Sequence, residues 1–200
     1  ALHVALKTRK DSWLPLFIEI GGLHQLSDVL SVKSRSTDAS ANDETSIGAV
    51  WTVKCIKVLV NERFGLRAAL ETDGFVKTLA LCSDSTESKV RAKLPKILAA
   101  ICCSSPEGHA QVLAAMEVVR VRRRDQQRFK WLVKALGFEE DCRLKADILT
   151  LINVIVNFPS ELTTRVALRD EFVSLGIVDV LQGLDLMDSP ALNQQLTLFR

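Results

Sequence analysis

The 200-residue chain has no uninterrupted apolar run near the ~20 residues that a membrane-crossing helix needs, so a bilayer span is excluded. It has little net charge. A balance of +2 gives no global pull toward nucleic acid or an acidic membrane, so any electrostatic function must be local. Histidine is sparse and scattered, at His3, His24 and His109. No His-Cys or carboxylate set has ligand spacing, and no glycine-rich phosphate loop follows a strand. An enzyme is therefore not expected, and no catalytic residue, metal or cofactor is assigned. The cysteines, Cys55, Cys82, Cys102, Cys103 and Cys142, are odd in number, and four lie in apolar runs where Cys acts as a small hydrophobe. A reduced, intracellular setting is expected rather than a disulfide framework. Cys102-Cys103 is expected to pack one thiol inward and leave the other near a binding groove, rather than to form a redox or metal pair. Strict period-two alternation with hairpin punctuation is also missing, so the fold is expected to be all helical.

What is present is a recurrence. Four segments share one pattern, in which a small or polar residue is followed by branched or aromatic residues at fixed offsets. They start at Gly22-Leu23, Gly74-Phe75, Arg128-Phe129 and Gly176-Ile177, at spacings of 52, 54 and 48 residues. That length suggests stacked helical units of the armadillo or HEAT class, whose period is about 40 to 47 residues. The expected fold is an all-α, armadillo/HEAT-like helical repeat solenoid of about four repeats, the first truncated. Such stacks present extended surfaces to partners. At 48% hydrophobic and 25% charged, the chain can bury roughly 70% of its unfolded surface if compact.

One domain, 1–200, is expected, with 1–10 as the end of a truncated first repeat. Repeats follow at 11–62, 63–104 and 105–158, and 160–200 forms the last repeat with the start of a further helix. Ala1 to Leu6 reads as the end of a helix rather than as a signal peptide with a charged start, so the chain is expected to be cut from something larger. Two helical pieces fill 12–30, with Ser12 as N-cap, Pro15 in the first turn and Gly21-Gly22 between them. Residues 33–46 lack apolar periodicity and read as a flexible loop. Further helices are expected over 47–61, 63–74, 75–82 and 88–103, the last interrupted at Pro95. Ser105-Pro106 marks another start, followed by helices over 107–121, 125–137, 142–157, 161–175, 177–185 and 190–200.

In a three-helix repeat stack the third helices line one face. Aligned, they read Lys57 to Asn61, Lys96 to Ala100 and Asn153 to Asn157, each with its first and fifth residues one turn apart. Asparagine inside an apolar helix is locally unfavourable, because its amide competes for backbone hydrogen bonds. Asn61, Asn153 and Asn157 therefore either cap helices and tie repeats together, or present donors and acceptors to a partner.

The stretch Val58-Leu59-Val60-Asn61-Glu62-Arg63-Phe64-Gly65, followed by Ala69 to Thr72, resembles the hallmark of the inhibitory domain of diaphanous-type formins. Leu98 to Cys102, with Gly108-His109 and Val112 to Met116, is similar to the family's next repeat. Leu151 to Ile155, with Glu161-Leu162, Arg165-Val166, Glu171-Phe172 and Leu175-Gly176, resembles its last. The likeness runs from about Ser12-Trp13 to Leu184. It implies an autoinhibitory module that binds an amphipathic autoregulatory helix from the C-terminus of the same formin. A Rho-family small GTPase in its GTP form then releases that clasp, and actin is reached only through other domains. By position, the resemblance implies that Lys57, Asn61, Lys96, Ala100, Cys103, Ser104, Thr150 and Asn153 contact the autoregulatory helix, and that Val4, Lys7, Thr8 and Arg9 form the GTPase edge. It also implies a cytoplasmic, cytoskeleton-associated protein.

Two other readings compete. The basic stretch Arg120, Arg122, Arg123, Arg124, Arg128 and Lys130 has the charge to bind phosphates or an acidic membrane. No aromatic alternates with those charges, and Phe129 and Trp131 fit the buried pattern, so a solvated turn is favoured and neither nucleic acid nor membrane is assigned as a partner. The second is a generic armadillo adaptor for another protein's extended peptide. Such adaptors carry Trp and Asn ladders on their third helices, where only Trp51 of the three tryptophans falls.

Overall fold

The computed structural model describes residues 2–8, 10–35, 43–85 and 87–200. Among them there is no strand, and no helix is long and apolar enough to cross a membrane. The chain divides into two compact units, 1–115 and 116–200.

The first unit opens with α1 (Leu2–Thr8), α2 (Lys10–Glu19) and α3 (Gly22–Arg35), followed by α4 (Asp43–Val60), α5 (Arg63–Glu71) and α6 (Phe75–Leu81). After a 3-10 turn, Cys82–Asp84, come α7 (Ser88–Arg91) and α8 (Leu94–Cys102). Helix α4 is the hub, packing against α1, α3, α5, α7 and α8. Its inward residues Val53, Ile56, Leu59 and Val60 follow the three-to-four spacing of a one-sided helix and are almost fully buried.

Local chemistry sets most boundaries. The expected interruption at Pro95 is a full restart: α7 stops at Arg91, a turn covers Ala92 and Lys93, and Pro95 sits in the first turn of α8, where its missing N–H is harmless. Ser105 caps α9 (Pro106–Arg123), its hydroxyl accepting the Gly108 N–H at 3.0 Å. Three expectations need correction. Helix α2 begins at Lys10, so Ser12 is not its cap and Pro15 is an interior residue rather than a first-turn one. The burial of Leu14 helps offset the hydrogen bond that Pro15 cannot make. The loop assigned to 33–46 is shorter at both ends, because α3 continues to Arg35 and α4 begins at Asp43; its middle, 36–42, lies outside the described residues.

The second unit contains the end of α9, then α10 (Lys130–Phe138), α11 (Cys142–Asn157), α12 (Leu162–Ser174), α13 (Ile177–Leu184) and α14 (Pro190–Phe199). Helix α11 packs against α10, α12 and α14, and Phe129 stacks on Phe172 with centroids 4.4 Å apart. Gly21, Gly74 and Gly176 adopt positive φ just before the second helix of their triplets. In the copy without glycine, Arg124 takes that conformation, at φ 56. Its N–H donates to the Val121 carbonyl and that of Asp125 to the Arg120 carbonyl, the paired bonds of a Schellman closure. This closure holds 124–129 out of helix and delays α10 from the expected 125 to Lys130.

Candidate functional site

In the first unit the residues singled out from the sequence occupy helix faces that reach solvent. Val4, Lys7 and Thr8 are exposed on α1, and the Thr8 hydroxyl donates back to the Val4 carbonyl at 2.9 Å. Arg9 lies outside the described residues. Asn61 is exposed directly after the last residue of α4, and Lys57 is half-buried at that helix's rim. On α8, Lys96, Ala100 and Cys103 recur at i, i+4 and i+7, which places them on one stripe. Lys96 and Cys103 are exposed and Ala100 half-buried, and the neighbouring Ser104 is exposed. Helices α4 and α8 pack together within this unit.

The α8 stripe has a small, lightly polar character. The Ser104 hydroxyl donates to the Ile101 carbonyl at 2.6 Å, and the Cys103 thiol contacts the Ala100 carbonyl at 3.4 Å, so both side chains fold back on their own helix. The Cys102 thiol faces inward, and burial, with a smaller contribution from Cys103, pushes its pKa up to about 12. At neutral pH it is protonated and inert, while Cys103 is exposed.

The second unit treats its two expected site residues differently. The Thr150 hydroxyl donates to the Ala146 carbonyl at 2.8 Å, leaving chiefly a methyl to offer. Asn153 requires a correction. It is only 5% exposed, lying beneath α14, and its Nδ2 donates to the Gln195 carbonyl at 2.9 Å and to Gln195 Oε1 at 3.1 Å. It ties α11 to α14 and presents nothing to a partner. The cover comes from 42 residues downstream, which is why the local pattern did not reveal it.

The basic stretch is largely consumed internally. Arg120 pairs with Glu117 at 2.6 Å, and the hydrogen bond between them holds the Glu117 carboxyl below its ordinary range. Lys130 pairs with Asp125 at 3.4 Å, Arg123 lies 5.4 Å from the Trp131 ring centroid, and Arg128 grips Glu171 with two nitrogens. These arginines shape the α9–α10 connection and tie it to α12.

Sequence reasoning did not foresee two features of the first unit. One is a cavity of about 470 Å³ between the α5–α6 turn and α9, lined by Leu70, Asp73, Val76, Glu107 and Gln111, with the Gln111 amide bridging to the Leu70 carbonyl at 3.0 Å. The other is the setting of Trp51, which is 48% exposed with Lys54 Nζ 4.0 Å above its ring and the His3 ring 5.6 Å away. Its position on a third helix was the only available signal.

Comparison with known proteins places this geometry. A model described as Diaphanous GTPase-binding Domain matches residues 1–103, and one described as Diaphanous FH3 Domain matches residues 109–200. Inverted formin-2 of Xenopus laevis is 32% identical over 196 residues, covering 98% of this chain and 18% of that protein. Protein diaphanous homolog 2 of Homo sapiens is 28% identical over 202 residues, covering 100% and 18%. The chain thus spans less than a fifth of these relatives. Among solved structures, Entamoeba histolytica Formin1 bound to EhRho1-GTPgammaS superposes with a TM-score of 0.80 at 18% identity, covering 98% of this chain and 73% of that one. A designed armadillo repeat protein in complex with a (KR)4 peptide gives 0.65 at 15%, covering 93% and 66%. The fold is all-α and armadillo-like.

Proposed function

The chain belongs to the diaphanous-type formins, as their N-terminal GTPase-binding and FH3 region, and on that premise we propose that it is a regulatory binding module with two protein ligands. One ligand is the C-terminal autoregulatory helix of the same formin, whose capture restrains actin assembly by other domains. The other is a GTP-loaded Rho-family GTPase, which releases it. The module works in the cytoplasm with the actin cytoskeleton, as three-helix units over 11–62, 63–104 and 105–158, with 160–200 as the last. Its role is binding, with no catalytic step.

The observation that carries this reading is the solvent-reaching stripe of α8, a helix that packs against α4, with Asn61 exposed just after the end of α4. An amphipathic helix buries leucine-like anchors where the receptor backbone can be approached closely. Ala100 allows that approach, since no longer side chain stands at its position, and the exposed Asn61 amide offers a donor and an acceptor to orient the ligand. Lys57, Lys96, Cys103 and Ser104 border the contact. Asn153 is not part of it, being sealed beneath α14.

Two measurements test the division of the surface. Ala100→Asp places an unpaired charge in the contact, so calorimetry should show at least about tenfold weaker binding of the autoregulatory helix, or ~1.4 kcal/mol. Unchanged affinity would remove Ala100 from the site, and an extended basic peptide serves as the control for a generic armadillo adaptor. Charge reversal of Lys7 and Arg9 should weaken the GTP-loaded GTPase and spare the helix. The opposite pattern would overturn the assignment of α1.

A further inference from the structure

Among the described residues Lys145 is the only lysine, arginine or carboxylate that is almost completely buried, at 6% exposed. It sits near the start of α11, the positive end of that helix, where a cation is disfavoured. Burying a charge without an anion is costlier still. Yet its Nζ meets the Met187 sulfur, at 3.7 Å, and neither a carboxylate nor a carbonyl of the described residues accepts from it. Asp141 accepts the Arg143 N–H at 2.8 Å instead, and Asp185 pairs with Arg200. A thioether is a weak acceptor, so the ammonium stands beside an atom that serves it poorly.

Met187 lies in the turn between α13 and α14. Its N–H donates to the Leu184 carbonyl at 3.0 Å, and its carbonyl accepts the Ser189 N–H at 2.9 Å, so the backbone is held on both sides. The side chain is half-buried between the exposed Leu186 and Asp188, within reach of a small oxidant. The chain's other methionine, Met116, is fully buried. Oxidation normally disrupts packing, because the sulfoxide turns an apolar side chain into a polar one. Here it would do the reverse. A sulfoxide oxygen is a strong acceptor, and it would form on the atom that Lys145 already touches.

We propose that Met187 is a reversible oxidation site and that Lys145 binds its sulfoxide oxygen. With hydrogen peroxide as oxidant, the sulfur lone pair forms the S–O bond as the O–O bond breaks, and the sulfur gives up two electrons to the peroxide. The proton of the transferred hydroxyl passes to the departing hydroxide, which leaves as water. The Lys145 ammonium is unchanged and donates to the new oxygen, a charge-assisted bond in place of a thioether contact. Helix α14 begins at Pro190, three residues after Met187, and packs on α11. The modification therefore fastens the α13–α14 turn to α11, next to the cover over Asn153. It does not depend on either protein ligand proposed above.

The test treats the 200-residue chain with hydrogen peroxide, then with dithiothreitol to restore reversibly oxidised cysteines, and locates the added oxygen by peptide mass spectrometry. Met187 should be oxidised while Met116 is not, and methionine sulfoxide reductases should reverse the change. Thermal denaturation followed by circular dichroism then reads the role of Lys145. The oxidised wild type should melt at or above the reduced protein, whereas oxidation of Lys145→Met should lower its midpoint by about 2 °C or more. Met187→Gln supplies a permanent carbonyl oxygen at similar length. It should melt above Met187→Leu when Lys145 is present and lose that advantage in the Lys145→Met background, which carries the test if oxidation elsewhere obscures the first comparison. Oxidation of Met116 as readily as Met187, or equal midpoint changes with and without Lys145, would overturn the proposal.

Discussion

Gly65→Ala is expected to destabilise the first unit by ~3 kcal/mol or more, seen as a lower denaturation midpoint by circular dichroism. A β-carbon at Gly65 would lie 2.1 Å from the Leu59 carbonyl oxygen. That oxygen belongs to the last turn of α4 and accepts the Glu62 N–H at 2.9 Å, so it cannot swing aside without breaking the turn that carries Asn61. The same device recurs between α8 and α9. A β-carbon at Gly108 would lie 2.2 Å from the Ile101 carbonyl, which Ser104 holds through both its backbone N–H and its hydroxyl. Gly108→Ala should therefore cost a similar amount. Gly183→Ala in α13 is the control: nothing lies within 4 Å of its added carbon, so ordinary helix propensity should stabilise by ~0.5–1 kcal/mol. Both clashing glycines sit where one helix ends and the next starts, beside Asn61 and Ser104. Displacing either turn moves the residues proposed to meet the autoregulatory helix, so binding should fall with stability. Equal midpoints for Gly65→Ala and Gly183→Ala would mean that the close approach is not needed.

The helices themselves were legible because their signals are local. Ser105 with Pro106, the break at Pro95 and glycine before a second helix each act through one or two nearby backbone groups, and each stands where the sequence places it. Arg124 shows the limit: a non-glycine residue closes α9 in a conformation whose usual marker is glycine, so the late start of α10 left no trace in composition. Pro15 shows another, since burial of neighbours such as Leu14 let a helix run through a residue that normally sits at its start. The site was less legible than the fold for a physical reason. Periodicity tells which face of a helix is apolar, but not which distant element covers the polar residue at its edge. Asn61 and Asn153 look alike in sequence, yet the first is exposed and the second carries a hydrogen-bonded roof. Trp51 went the other way, an aromatic on a third helix that packing leaves uncovered.

That roof makes Asn153→Asp the second large effect. In the wild type Nδ2 donates both short bonds to Gln195, and Oδ1 is buried without a protein partner. Aspartate keeps the shape but, once ionised, faces the Gln195 carbonyl with no proton to give and leaves a charge in a site only 5% exposed. Breaking a buried polar pair in this way costs about 3 kcal/mol at neutral pH. The sign of the pH dependence follows from burial, which raises the carboxyl's folded pKa above its unfolded value of ~3.9. Below that value the group is protonated in both states, and its O–H can replace the lost donor. As pH rises through the window between the unfolded and folded values, the unfolded chain alone releases the proton and stability falls, levelling off above the folded value. Asn153→Leu separates charge from shape: it gives up two bonds but also removes the unpaired acceptor, so it should cost only ~1–2 kcal/mol and show no added pH dependence. Denaturation of both variants from about pH 4 to 8 tests this, and parallel profiles for aspartate and leucine would show that α14 does not seal the site. Folded Asn153→Leu should also bind the autoregulatory helix as the wild type does. Loss of that binding without loss of stability would return Asn153 to the ligand surface and make α14 a movable cover.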